Sequence, residues 1–101
     1  MSGPAGFDSV IHAPARLQIC GILSAAREAE FAMIRQTVQV SDSVLSKHLK
    51  VLEDAGYVRF RKAPLEGRQR TWLSLTPPGR SAFAAHLSEL QRLAGLAKAA
   101  E

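Results

Sequence analysis

The stretch SDSVLSKHLKVLEDAGYV, from Ser41 to Val58, constrains the fold of this chain more than any other segment. Leu45, Leu49 and Leu52 recur at i, i+4 and i+7, the spacing that puts three side chains on one face of an α-helix. Ser41 stands where a side-chain oxygen can accept from the first free backbone N–H groups. Asp42 falls in the first turn, where the helix dipole favours a negative charge, and Gly56 supplies a left-handed stop. These signals predict a helix from the Ser41 cap to about Ala55. At 100° per residue, Ser43, Ser46, Lys47 and Lys50 gather opposite the leucines. A merely solvated face more often carries Glu and Lys in pairs. Short hydroxyls and cations on a helix fixed from behind suit contact with nucleic acid, where small polar groups meet base edges and cations meet phosphates.

The flanking segments supply the remaining elements. Pro14 suits the first position of a helix that continues from Ala15 to Ala26. Its Leu17, Ile19, Cys20, Ile22, Leu23, Ala25 and Ala26 leave almost no polar face, so it is buried on more than one side, most simply by a second subunit. Glu28 to Phe31 is expected to be a short extended stretch. Phe31, Ile34 and Val38 then give a helix over Ala32 to Val38 its core-facing stripe, and the short link to Ser41 makes a helix-turn-helix. Two strands follow, Tyr57 to Ala63 and Arg70 to Leu75. In the second, Thr71, Leu73 and Leu75 alternate with Trp72 and Ser74. PLEGRQ between them, with Pro64 and Gly67, is expected to form a hairpin tip longer than a two-residue turn. Thr76 can cap a last helix with Pro77 at its first position. Phe83, Leu87, Leu90 and Ala94 form its stripe, and Leu93, Leu96 and Ala97 widen it beyond what a three-helix core needs.

Composition narrows the function. The 101 residues fit one domain, expected at 13–97 between a flexible leader, 1–12, and a tail, 98–101. Of 13 basic and 9 acidic residues, Lys47, Lys50, Arg59, Arg61, Lys62, Arg68 and Arg70 lie between Ser46 and Trp72 against Glu53, Asp54 and Glu66 alone. The rest of the chain is balanced, so all the excess positive charge sits in one region, as a footprint for a polyanion does. No apolar run approaches the roughly 20 residues of a membrane span. The opening MSGPAGFDSV has no basic flank, long apolar stretch or cleavage site, so a cytoplasmic protein is expected. Cys20 is the single cysteine. It excludes an internal disulfide and a multi-cysteine zinc site, and is either a small core hydrophobe or a reactive thiol. His12, His48 and His86 are far apart and pair with no nucleophile or carboxylate at a recognisable spacing. With no phosphate loop, zinc-protease helix or dinucleotide fingerprint, neither an enzyme, a cofactor nor a metal is expected.

The order helix, helix, helix, hairpin, helix is mostly α with a small β-hairpin (α+β), a winged helix-turn-helix with a C-terminal dimerisation helix. APARLQICGIL, EFAMIRQTVQVSDSVLSKHLKVLEDAGYV and GRQRTWLSLTPPGRSAFAAHL closely resemble the compact winged-helix transcriptional regulators related to the MarR and ArsR groups, over about Ala13 to Leu90. The resemblance implies a homodimeric regulator that binds double-stranded DNA, with a small-ligand effector in some relatives. The cysteine cluster by which some ArsR-like relatives bind metal is absent.

The DNA-binding residues expected on these grounds are Ser43, Ser46, Lys47, His48 and Lys50 on the helix, with Arg61, Lys62, Arg68, Gln69 and Arg70 on the hairpin. Strand alternation sends Arg61 and Lys62 to opposite faces, so only one of them helps. His48 lies beside the leucine stripe and is either packed there or turned to a phosphate. Two recognition helices about one DNA turn apart call for a pseudo-palindromic site. An apolar or aromatic effector would sit among Leu17, Cys20, Phe83 and Leu87 with His12 or His86 as polar anchor, although these residues also read as plain dimer core. The competing function is a winged-helix module for protein–protein assembly, its basic face incidental.

Overall fold

In the computed structural model, which describes residues 6–100, the chain runs through α1 (Ser9–His12), α2 (Pro14–Ala25), β1 (Ala29–Glu30), α3 (Phe31–Val38), α4 (Asp42–Asp54), β2 (Val58–Leu65), β3 (Arg68–Leu75) and α5 (Pro77–Ala99). Helix α4 forms where its sequence signals place it. The Ser41 hydroxyl accepts from the Val44 N–H at 3.2 Å, and Gly56 takes φ +80° just past the last turn. Leu45, Leu49 and Leu52 are fully buried. They meet a core that also holds Ile19, Cys20 and Leu23 of α2, Ile34 of α3 and Leu73 of β3. Helix α2 is the centre of the packing, touching α3, α4, α5 and β3.

The three strands are antiparallel in the order β1-β3-β2. Val58 pairs with Leu75 at the base of the hairpin and Leu65 with Arg68 at its end. This leaves Glu66 and Gly67 alone as the turn, with φ +53° and +78°. The tip is therefore a two-residue turn rather than the longer one expected. Positive φ at both central residues is the mirror-image turn whose twist matches that of paired strands. Pro64, which had suggested a loop, pairs in register with Gln69. It is tolerated because β2 is an edge strand, where a missing N–H need not break a ladder.

The N-terminal segment also differs from expectation. Residues through His12 were expected as a flexible leader, yet Asp8 caps α1 by accepting from the Val10 N–H at 2.8 Å, and Ile11 is fully buried. A cap and one apolar anchor suffice to hold a single turn against the body. The expected tail from 98 is helical through Ala99, and residues 1–5 and 101 lie outside those described.

Thr76 joins the end of α4 to the start of α5. Its hydroxyl accepts from the Gly79 N–H at 3.1 Å and donates to the Gly56 carbonyl at 2.6 Å, while its own N–H donates to the Tyr57 carbonyl at 3.0 Å. Phe83 and His86 are buried, whereas every residue from Gln91 to Ala100 is exposed. Among the described residues, no helix is long and apolar enough to cross a membrane.

Candidate nucleic-acid interface

Helix α4 is fixed in two ways. Its leucines are in the core, and its first turn is tied to α3 by Arg35, whose Nε lies 2.9 Å from Asp42 Oδ1. On the exposed side stand Ser43, Ser46, Lys47 and Lys50, as the helical wheel requires. They are not equivalent. The Ser43 hydroxyl lies 3.3 Å from that of Ser41. Lys50 Nζ lies 3.0 Å from Asp54 and 4.0 Å from Glu53, and the Asp54 carboxylate, foremost by hydrogen bonding, raises the ammonium pKa. Among the described residues, Ser46 and Lys47 have no side-chain hydrogen bond or ion pair.

His48 is half-buried, with Nδ1 3.2 Å from Arg16 Nη1. A guanidinium has only donors, so Nδ1 accepts and the imidazole is neutral with its hydrogen on Nε2. Burial, and then the Arg16 charge, push its pKa below the usual value. Of the two sequence readings, this geometry is that of a packed and satisfied histidine.

The register of the hairpin sorts its cations. Arg59, Arg61, Arg68 and Arg70 share one face with Trp72 and Ser74, while Lys62 and Gln69 share the other with Thr71, Leu73 and Leu75. Arg61 is held by Glu28 through two hydrogen bonds of 2.7 Å, with its guanidinium carbon 5.9 Å from the Trp72 ring centre. The Arg61 hydrogen bond lowers the Glu28 pKa. Arg70 Nη1 lies 2.7 Å from Glu30 Oε2. Both arginines are thus tethered to β1 and the residue preceding it. Arg59, Lys62, Arg68 and Gln69 are exposed without such partners among the described residues. In the sequence Arg59 is legible only as part of the charge cluster. Its place two residues before Arg61 in an alternating strand was the signal that puts them on one face.

The residues expected around an effector fall into three settings. Cys20, Phe83 and His86 are buried, Leu17 is half-buried, and Leu87 is exposed. His12 is exposed, yet its Nδ1 lies 3.1 Å from His86 Nε2, so the two polar anchors contact each other.

A helix packed on its leucines beside a basic hairpin agrees with what the whole sequence shows on comparison: a family model described as a winged helix DNA-binding domain matches residues 15–94. The chain belongs to the winged helix DNA-binding domain family. An uncharacterized protein of Methanocaldococcus jannaschii is 32% identical over 87 residues, covering 86% of this chain and 90% of that protein. The structure of a transcriptional regulator homologue from Pyrococcus horikoshii OT3 superposes with a TM-score of 0.79 at 29% identity, over 85% of each chain. A protein of Enterococcus faecalis V583, described as a transcriptional regulator of the MarR family, shares the fold with a TM-score of 0.79 at 19% identity over 96% of each chain. In winged helix terms, α3 and α4 are the helix-turn-helix, α4 is the recognition helix, and the β2–β3 hairpin is the wing. Family and fold are those of a DNA-binding transcriptional regulator rather than an enzyme.

Proposed function

We propose that the protein is a sequence-specific regulator that acts as a homodimer and reads double-stranded DNA with the exposed face of α4. The observation that carries this reading is the pair Ser46 and Lys47, without side-chain partners among the described residues, on a helix whose back is locked by three buried leucines. A hydroxyl and a flexible ammonium held at a fixed angle suit the major groove, whose base edges offer both donors and acceptors. Ser43 lies one turn earlier on the same face. Lys50 reaches a phosphate by giving up Asp54. From the wing, Arg59, Lys62, Arg68 and Gln69 reach the neighbouring phosphates or minor groove, while Arg61 and Arg70 add only the charge that Glu28 and Glu30 leave them.

Helix α5 supports the dimer. Leu87, Leu93 and Leu96 are 41%, 43% and 55% exposed, and with Leu90, Ala94 and Ala97 they make about half the circumference of the helix apolar. A second copy about a two-fold axis covers this stripe and sets two recognition helices about 34 Å apart, matched to a pseudo-palindromic site. An apolar or aromatic effector beside Leu17, Cys20, Phe83 and Leu87 would enter by parting His12 from His86. Its effect on DNA affinity would then be reciprocal with the effect of DNA on its own binding.

The test is selection of bound duplexes from a random pool, followed by a salt titration of the winner. A pseudo-palindromic sequence is expected, with log K falling against log salt by about 0.9 per phosphate contacted. No enrichment over bulk DNA would overturn the reading in favour of assembly with a protein partner.

A further inference from the structure

Asp8 caps the single turn of α1, His12 ends it, and both meet His86. The Asp8 backbone N–H donates to His86 Nδ1 at 3.0 Å, and His86 Nε2 lies 3.1 Å from His12 Nδ1. An amide N–H can only donate, so His86 Nδ1 is bare and its hydrogen is on Nε2. His12 Nδ1 must then accept, and both rings are neutral. An added proton on either ring sets two N–H groups against each other. On His86 it opposes the Asp8 amide; on His12 it opposes His86 Nε2–H. Phe7 stands edge-on to the two imidazoles, with ring centres 5.7 Å from His12 and 5.2 Å from His86.

The same turn reaches the recognition helix from its other side. The Val10 carbonyl accepts from Arg16 Nε, and Arg16 Nη1 donates to His48 Nδ1. Tyr57, just beyond the end of α4, donates its hydroxyl to Asp8. The buried side chain of Ile11 pins the turn between these contacts. Helices α5 and α4 are therefore joined through one short segment by hydrogen bonds whose donors and acceptors are fixed.

We infer that the α1 turn is a proton-sensitive clasp that holds the recognition helix in register with α5 and opens when His12 is protonated. Its consequence for DNA rests on the function proposed above. The ionisable groups around the clasp are Asp8 and His12 in the N-terminal segment, Arg16 and Cys20 on α2, His48 on α4, Tyr57 beyond it, and Glu89 on α5, which is paired with Arg92. Burial, and then His12, hold the His86 pKa below the ordinary imidazole value, against a smaller opposing pull from Asp8. The Asp8 carboxylate is already engaged by Tyr57 and the Val10 N–H. Imidazole is the side chain that ordinarily changes charge between about pH 5 and 8.

The experiment follows native-state amide exchange in the full chain, corrected for intrinsic rates, from about pH 8 to about pH 5.5, the range in which imidazole titrates. The amides read are those of Ile11, His12 and His48. Affinity for a labelled duplex recovered by selection is measured in parallel. Wild type is expected to lose protection at all three amides and about tenfold in affinity. His12→Gln keeps an acceptor that cannot be protonated, and is expected to retain both. Unchanged protection in wild type, or the same loss in His12→Gln, overturns the clasp. Lost protection with unchanged affinity for a bound duplex overturns its coupling to α4. If no duplex binds at about pH 8, the DNA-binding reading falls. Exchange at His48 then decides the clasp alone.

Discussion

Gly79, in the first turn of α5, lies so close beneath Tyr57 that a β-carbon there would stand 2.2 Å from the Tyr57 carbonyl oxygen. The neighbour is backbone, so nothing can swing aside. Gly79→Ala is expected to destabilise the fold by about 1–3 kcal/mol in urea or thermal melts. Thr76→Ala, which removes the adjoining cap, is expected to cost about 1 kcal/mol. An unchanged midpoint in the glycine variant would show that α5 can lift off the α4–β2 junction.

On the recognition helix, Ser46→Ala and Lys47→Ala are each expected to weaken the preferred duplex by about 1–3 kcal/mol and to relax discrimination. Lys50→Ala should lose less, because the ammonium lies 3.0 Å from Asp54 before any DNA arrives. Equilibrium binding to specific and bulk duplexes separates the three. Equal losses would mean that Asp54 does not hold Lys50 back.

Glu28 and Glu30 tether two of the wing arginines at 2.7 Å. Glu28→Gln and Glu30→Gln are expected to release Arg61 and Arg70 toward phosphates. Affinity for bulk DNA should rise, and the salt dependence should steepen by about 0.9 for each phosphate gained. Weaker binding in both variants would show that the glutamates aim these arginines at DNA rather than withhold them.

Glu66 occupies the first position of the hairpin turn at φ +53°, a conformation that strains most side chains. Asn tolerates it better, and Asn-Gly is the favoured pair for this turn. Glu66→Asn should therefore stabilise the protein by up to about 1 kcal/mol. A lower melting midpoint would sink this account of the turn.

At alkaline pH two groups work in one direction. Burial, foremost, raises the Cys20 pKa from 9.0 to about 11, and the hydrogen bond to Asp8, foremost, raises that of Tyr57 from 10.0 to about 12. Both lose protons more readily when unfolded, so their contribution is complete below the unfolded pKa and is lost as pH rises through the folded one. Melts should weaken from about pH 9 upward, less steeply in Cys20→Ala. The native thiol should react with disulfide reagents only as fast as the core opens, and rapid reaction near neutral pH would restore the reading of Cys20 as a reactive thiol.

The fold was legible wherever one residue type has one physical use. Ser41, the three leucines and Gly56 delimit α4 because cap, stripe and stop are each local in sequence. Alternation through Thr71 to Leu75 identified β3 for the same reason. The hairpin tip was misread because Pro64 marks a loop only when its strand has neighbours on both sides, and edge position is a property of the sheet. The α1 turn was missed because its cap, Asp8, and its anchor, Ile11, are too few to make a period. At the candidate site, composition located the cations but not their partners. Glu28 and Glu30 lie 33 and 40 residues from Arg61 and Arg70, and only the pairing of β1 with β3 brings them near.

The exposed run from Gln91 to Ala100 has one more consequence. About three turns of helix without tertiary support gain little from hydrogen bonding alone, because short isolated helices are marginal in water. A solitary chain should unwind from its C-terminus, and dilution should lower the helical signal while the core stays intact. Under the dimer proposed above, the length of α5 becomes a gauge of concentration, and the last turns of the helix report whether a second copy is present.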